Sequence, residues 1–96
     1  MKMLMVVYSG PNPKRVSSLL DGHHAGGYTE FAGGHGVGST GRHEGTRAWP
    51  GESRLWVSIV PEPTADDLVN VLRREAQALP PGERLHAAVV PTESFC

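Results

Sequence analysis

The spacing of apolar residues along the chain switches between a two-residue and a three-to-four-residue period, and the switches divide it into six elements. Met3 to Tyr8 is a continuous apolar run, which predicts a central strand covered on both faces. Asn12-Pro13 then reads as a helix N-cap followed by proline at the first helical position. Val16, Leu19 and Leu20 recur at helical spacing until Gly22 stops the helix. Tyr28 to Ala32 is a short β-prone run. Leu55 to Val60, rich in Val, Ile and Trp, predicts a further strand ended by Pro61. Thr64 with Asp67 three residues on predicts a capping box, and Leu68, Val71, Leu72, Ala76 and Leu79 follow on one helical face. Pro80-Pro81-Gly82 closes that helix, and Leu85 to Val90 supplies the last strand.

The resulting order, β-α-β-β-α-β, is the ferredoxin-like α+β arrangement over a single domain, residues 1–96. Right-handed crossovers place both helices on one face of a four-stranded antiparallel sheet. Strand alternation then sends some apolar groups to the other face, which nothing in the chain covers. Burial against further copies predicts a homo-oligomer. A monomer follows instead if the open face is polar enough.

Composition narrows the class. The chain has 96 residues, 39% hydrophobic and 20% charged, with a formal net charge of −1. That balance gives no general attraction for nucleic acid or anionic membrane. No apolar run reaches the ~18–20 residues of a membrane span, and Pro11 and Pro13 follow Met1–Val7 where a signal-peptide cleavage site would lie. The one cysteine, Cys96, excludes an internal disulfide and makes a reducing cytoplasm the expected compartment.

Ten of the twelve glycines and four of the five histidines fall between Gly22 and Gly51. The connection Gly33–Ser53 is thus read as a long glycine-rich loop, and links of about 20 residues are rare in compact domains unless they function or are disordered. Within it, glycine leaves backbone N–H groups unobstructed, Ser39 and Thr40 add hydroxyls, and Arg42 and Arg47 add guanidinium forks, a combination suited to an anion. Gly36–Gly41 spells GxGxxG, but no helix can follow through His43-Glu44-Gly45 and Trp49-Pro50-Gly51. Gly33–Thr40 is similarly short of a Walker loop, because Ser39 stands where the phosphate-binding lysine belongs. A flexible hairpin extension with no ligand is the bland alternative.

These features together resemble the PII-like signalling proteins, the superfamily of nitrogen regulatory P-II proteins. The resemblance rests on the element order, on Met1-Lys2 before an apolar first strand, and on Gly36-Val37-Gly38 before a long loop. It also rests on Val57-Ser58-Ile59-Val60-Pro61 followed by Asp66-Asp67-Leu68-Val69. It implies a homotrimer that binds adenine nucleotides in clefts between subunits, beneath a T-loop (33–53 here) that controls a transporter or enzyme. Carried over by position, it implies ligand binding by Gly36, Val37, Gly38, Ser39, Thr40 and Arg42. Thr40 takes the slot of a glutamine and Ser39 that of an arginine. Arg84 falls near the phosphate-binding lysine that begins the last strand. The family's TGxxGDGK phosphate loop is here the short Pro80–Arg84, where Glu83 brings a negative charge. The arginine pair after the last strand has no counterpart through Cys96, and no tyrosine in the loop offers a nucleotidylation site. The effector implied is therefore an adenine nucleotide or another small anion.

Metal is the rival ligand. His23, His24, His35 and His43 with Glu44 supply enough donors for Zn²⁺ or Cu²⁺, which implies an alternative metal-binding or structural trimer of the CutA-like branch. No metal-site spacing is present, and His23-His24 after Gly22 equally suits a solvated turn. His86 is read as a satisfied sheet residue. Trp49-Pro50-Gly51 is either a turn with an aromatic anchor or a docking aromatic. No nucleophile motif occurs, and Glu44 beside His43 in a glycine loop lacks preorganisation, so the chain is not read as an enzyme.

Overall fold

The apolar periodicity resolves, in a computed structural model, into a sheet with two helices on one side. Residues 1–23, 25–38, 41–43 and 52–96 are described, with 36–38, 41–43 and 52 as backbone only. The elements are β1 (Lys2–Ser9), α1 (Lys14–Gly22), β2 (Thr29–Gly38), β3 (Gly41–His43), β4 (Glu52–Val60), α2 (Glu62–Gln77) and β5 (Arg84–Pro91). The strand order is β3-β2-β4-β1-β5, with β1 antiparallel to both β4 and β5. Four strands in that order, crossed twice by helices, are the ferredoxin-like fold. The three-residue β3 is an addition on the β2 edge.

Register determines which side chains meet the helices. Val6 lies opposite both Trp56 and Ala87, and Leu4 opposite Ser58 and Val89. Leu4, Val6, Tyr8 and Trp56 are buried beneath Val16 and Leu20 of α1 and Leu68 and Leu72 of α2. Trp56, 1% exposed, is the largest buried side chain, and its indole N–H donates to Ser17 Oγ at 3.2 Å. Burying an aromatic ring while its N–H finds a partner joins β4 to α1 without an unsatisfied polar group. Ser58 Oγ donates to the Gly27 carbonyl at 2.6 Å, which holds the chain between α1 and β2 against the sheet.

Both helix starts differ from the sequence reading. α1 begins at Lys14 with Pro13 as its cap and no side-chain capping bond. The Asn12 carbonyl accepts from the Arg15 N–H, while the Asn12 N–H is drawn to the Tyr8 hydroxyl. α2 starts two residues before Thr64, because Pro61 adopts the extended cap conformation and Pro63 fits the first turn, where no N–H donor is needed. Thr64 is therefore already helical, and Glu62 supplies the acidic residue that complements the helix dipole.

The larger difference is β2. The run Tyr28–Ala32 continues as strand to Gly38, and β3 pairs back onto it with Val37 opposite Arg42. The first part of the 33–53 connection is thus regular structure and not loop. A bulge between Phe31 and Gly34 makes this extension fit. Gly33 takes φ +81° there, and a Cβ on Gly34 would lie 2.8 Å from the Ser53 carbonyl oxygen. These two glycines are required by backbone conformation and by close strand approach.

Leu4→Ala is expected to destabilise the fold by about 2–5 kcal/mol through the cavity left between β1 and the helices. Urea unfolding followed by Trp56 fluorescence measures it.

Candidate functional site

One end of the sheet gathers the residues singled out from sequence. Arg84 lies opposite Ser9, Ser9 opposite Ser53, and Ser53 opposite Gly34, so a single row crosses β5, β1, β4 and β2. Gly36, Val37 and Gly38 extend past that row on β2, with Arg42 across from Val37 on β3. Arg84 and the glycine hairpin therefore share an end of the sheet but belong to opposite edges. Three strand spacings separate them, roughly 14 Å. A ligand touching both must be extended, or one of the two edges must come from a neighbouring copy.

Ser39, Thr40, His24, Glu44, Arg47 and Trp49 lie outside the described residues. Of the remaining metal candidates, His23 Nδ1 lies 3.8 Å from Asp67 Oδ2, His35 pairs in register with Glu52, and His43 with Gly36. Among the described residues, no group of three or more His, Cys, Asp or Glu is placed to hold a metal ion. His86 is exposed opposite Val7, on the face away from the helices, and so is not the satisfied sheet residue read from its alternation.

The turn leading into β5 carries the least foreseen geometry. Glu83 is turned inward, its side chain 8% exposed. The Tyr8 hydroxyl donates to Glu83 Oε1 at 2.6 Å and accepts from the Asn12 N–H at 3.0 Å. Arg15 stands between two carboxylates, with Nη1 3.9 Å from Glu83 Oε1 and Nε 3.4 Å from Glu75 Oε1. A Cβ on Gly10 would come within 2.5 Å of the Tyr8 hydroxyl and 2.9 Å of Glu83 Cγ, so only glycine lets this contact close. The carboxylate that sequence placed against an incoming anion is thus occupied inside the fold by Tyr8 and Arg15. Sequence reasoning passed over Tyr8, Gly10 and Arg15. The signal available was a tyrosine ending an apolar strand two residues before glycine.

Ser9 was missed as well. It is 5% exposed, and its hydroxyl has no hydrogen-bond partner among the described residues. Buried polar atoms are seldom left so, and this one sits in the row between Arg84 and Ser53. Beside the row, Arg73, Gln77, Glu83, Arg84 and His86 line an open groove of about 530 Å³ between the end of α2 and the outer edge of β5.

No protein-family model and no curated protein matches the chain. Solved structures do. CPII, a nitrogen regulatory PII-like protein from Thiomonas intermedia bound to ADP, AMP and bicarbonate, superposes with a TM-score of 0.68 at 24% identity, covering 93% of this chain and 86% of that one. The same protein bound to ADP and bicarbonate gives 0.68 at 25% identity over the same shares. A PII-like signaling protein from Thermus thermophilus gives 0.66 at 24% identity, covering 92% and 82%. The class that topology defines, a ferredoxin-like sheet with a strand-extended hairpin, is here the PII-like fold. In fold, the chain is PII-like.

Burial, and secondly the bond to Glu83, raises the Tyr8 pKa above its usual 10. The folded state then holds the phenolic proton more tightly than the unfolded chain. The stability this contributes is complete below pH 10 and lost as pH rises through the elevated value. Tyr28 is raised in the same direction by desolvation and then by its bond to Asp21. Tyr8→Phe is expected to cost about 1.5–3 kcal/mol at neutral pH, the range for a hydrogen bond to a charged group. It should also flatten the fall in stability above pH 10, as urea unfolding across pH 7–11 would show.

Proposed function

We propose that this chain is a regulatory module that assembles as a homotrimer and binds an adenine nucleotide or another small anion in the clefts between subunits. The observation that carries this reading is the likeness over 93% of the chain to CPII, whose structures hold ADP, AMP and bicarbonate. In this reading the backbone of Gly36, Val37 and Gly38 approaches the ligand. Ser39 and Thr40 donate hydroxyls, and Arg42 and Arg84 hold its anionic end. The chain works by binding and not by catalysis. Ordering of the hairpin by the effector shifts a two-state equilibrium that a partner, a transporter or an enzyme, senses in the cytoplasm.

The sheet face away from the helices supports the assembly. Register sets Met3, Met5 and Val7 of β1 beside Ile59, Val57 and Leu55 of β4, with Val90 and Ala88 on one flank and Phe31 on the other. Phe31 is 54% exposed and Val7 38%. Interrupted by His86 beside Val7 and Thr29 beside Val57 but otherwise apolar, such a face is stabilised by burial against copies of itself. Three copies closing face inward bring the β5 edge of one subunit toward the hairpin edge of the next. That closure removes the separation between Arg84 and Gly36 found in the single chain. Among the described residues no helix is long and apolar enough to cross a membrane.

Titration calorimetry with adenine nucleotides and bicarbonate tests the reading, with Zn²⁺ and Cu²⁺ run beside them. Heat is expected for a nucleotide or bicarbonate; heat for metal alone overturns the reading. Gly36→Val should abolish that binding and leave the oligomer intact. Val57→Glu, at the centre of the apolar face, should convert a species of three times the chain mass to monomer in analytical ultracentrifugation. A monomeric wild-type chain at micromolar concentration sinks the assembly.

A further inference from the structure

Two polar residues, Ser58 and Ser9, are buried among the described residues, and they differ in how their hydroxyls are satisfied. Ser58 Oγ donates to the Gly27 carbonyl at 2.6 Å. Ser9 Oγ has no hydrogen-bond partner among the described residues, although the residue is only 5% exposed. Enclosing a hydroxyl without a partner costs stability that alanine at the same place would not cost. The packing of the fold therefore gives no reason for a serine at this position.

Its place in the sheet supplies one. Leu4, Val6 and Tyr8 go beneath the helices, so strand alternation carries Ser9 to the other face with Met3, Met5 and Val7. Ser9 forms the last pair of β1 on both sides, opposite Ser53 of β4 and Arg84 of β5. Directly opposed residues of antiparallel strands share a face, with Cβ atoms about 5 Å apart. The Ser9 and Ser53 side chains thus stand side by side at the rim of the sheet, and Ser53 is partly exposed. Next in the row is Gly34, which has no side chain and from which β2 runs on to Gly36, Val37 and Gly38. At the other end Arg84 already has an interaction of its own. Glu83, which precedes it, accepts from Tyr8 on the helix side and so keeps its carboxylate out of the row. A pair of hydroxyls beside bare glycine backbone suits the oxygens of a small oxyanion.

We propose that Ser9 is a ligand-binding residue whose hydroxyl, beside that of Ser53, donates to the oxyanion group of the effector. This role rests on the effector reading above and deepens it. It adds two donors to those of the glycine hairpin, along the row that joins them. Ser9 Oγ is closed to solvent in the single chain, so the rim opens as the ligand enters. The bond then made to a charged acceptor offsets part of that cost.

Titration calorimetry of the intact wild-type protein and of Ser9→Ala with bicarbonate and with AMP, beside urea unfolding of both, tests this. Ser9→Ala is expected to weaken binding about tenfold or more, the loss of a hydrogen bond to a charged acceptor. Its urea midpoint should stay or rise, because the hydroxyl has no partner among the described residues to lose. A loss confined to bicarbonate assigns the row to the free anion, and one confined to AMP assigns it to a phosphate. Unchanged affinity in Ser9→Ala, with Gly36→Val still abolishing binding, overturns the role of Ser9 and leaves the effector reading standing. A lowered urea midpoint gives the hydroxyl a structural bond and overturns that role as well. Silence of the wild-type chain with both probes removes the effector reading and the role of Ser9 with it.

Discussion

A sheet with helices on one side only cannot satisfy the alternation of its own strands. In β1, Leu4, Val6 and Tyr8 go beneath the helices, and Met3, Met5 and Val7 must then face the other way. The same holds for Trp56 against Leu55 and Val57 in β4. Apolar surface left against water is unfavourable by roughly 25 cal/mol for each Å² that association could bury, so the uncovered face is a standing drive toward assembly. That face dictates the rest. In the proposed assembly it would set which edges neighbouring copies bring together, and hence whether Arg84 and the glycine hairpin, on opposite edges of one sheet, serve the same ligand.

The end of the sheet that carries Arg84, Ser9, Ser53 and Gly34 is shaped by close approaches of backbone and side chain. Gly34 presses on the Ser53 carbonyl, and Gly10 lies beneath the Tyr8–Glu83 contact. In both places a Cβ would collide, so the glycine serves packing first. The consequence for function is indirect. Gly34 lets β2 continue through a bulge into the hairpin, and Gly10 lets a carboxylate swing inward to a buried tyrosine.

The sequence-level resemblance to PII-like proteins and the superposition on CPII agree in topology along nearly the whole chain. At the turn Pro80–Arg84, where the resemblance implied a phosphate loop, Glu83 stood out in the sequence as a misplaced charge. In the fold that carboxylate accepts from the Tyr8 hydroxyl and lies 3.9 Å from Arg15 Nη1. Likeness of fold does not extend to the role of that turn, since function resides in sites carried on a fold.

Local pattern was enough for the element order. A run such as Met3–Tyr8, or Leu68, Val71 and Leu72 on one face, depends on neighbours close in sequence, and so it is legible without coordinates. The two helix caps, Pro13 and Pro61, lie one and three residues from Asn12 and Thr64, which satisfy the capping rule equally well on paper. The extension of β2 to Gly38 was not legible. Glycine has weak strand preference, and only pairing with β4 and β3 makes Gly33–Gly38 a strand. Nor could sequence join Tyr8 to Glu83, 75 residues apart, or place Arg84 in a row with Ser9, Ser53 and Gly34. Those neighbours are created by strand register, a property of the closed sheet that no stretch of chain possesses alone.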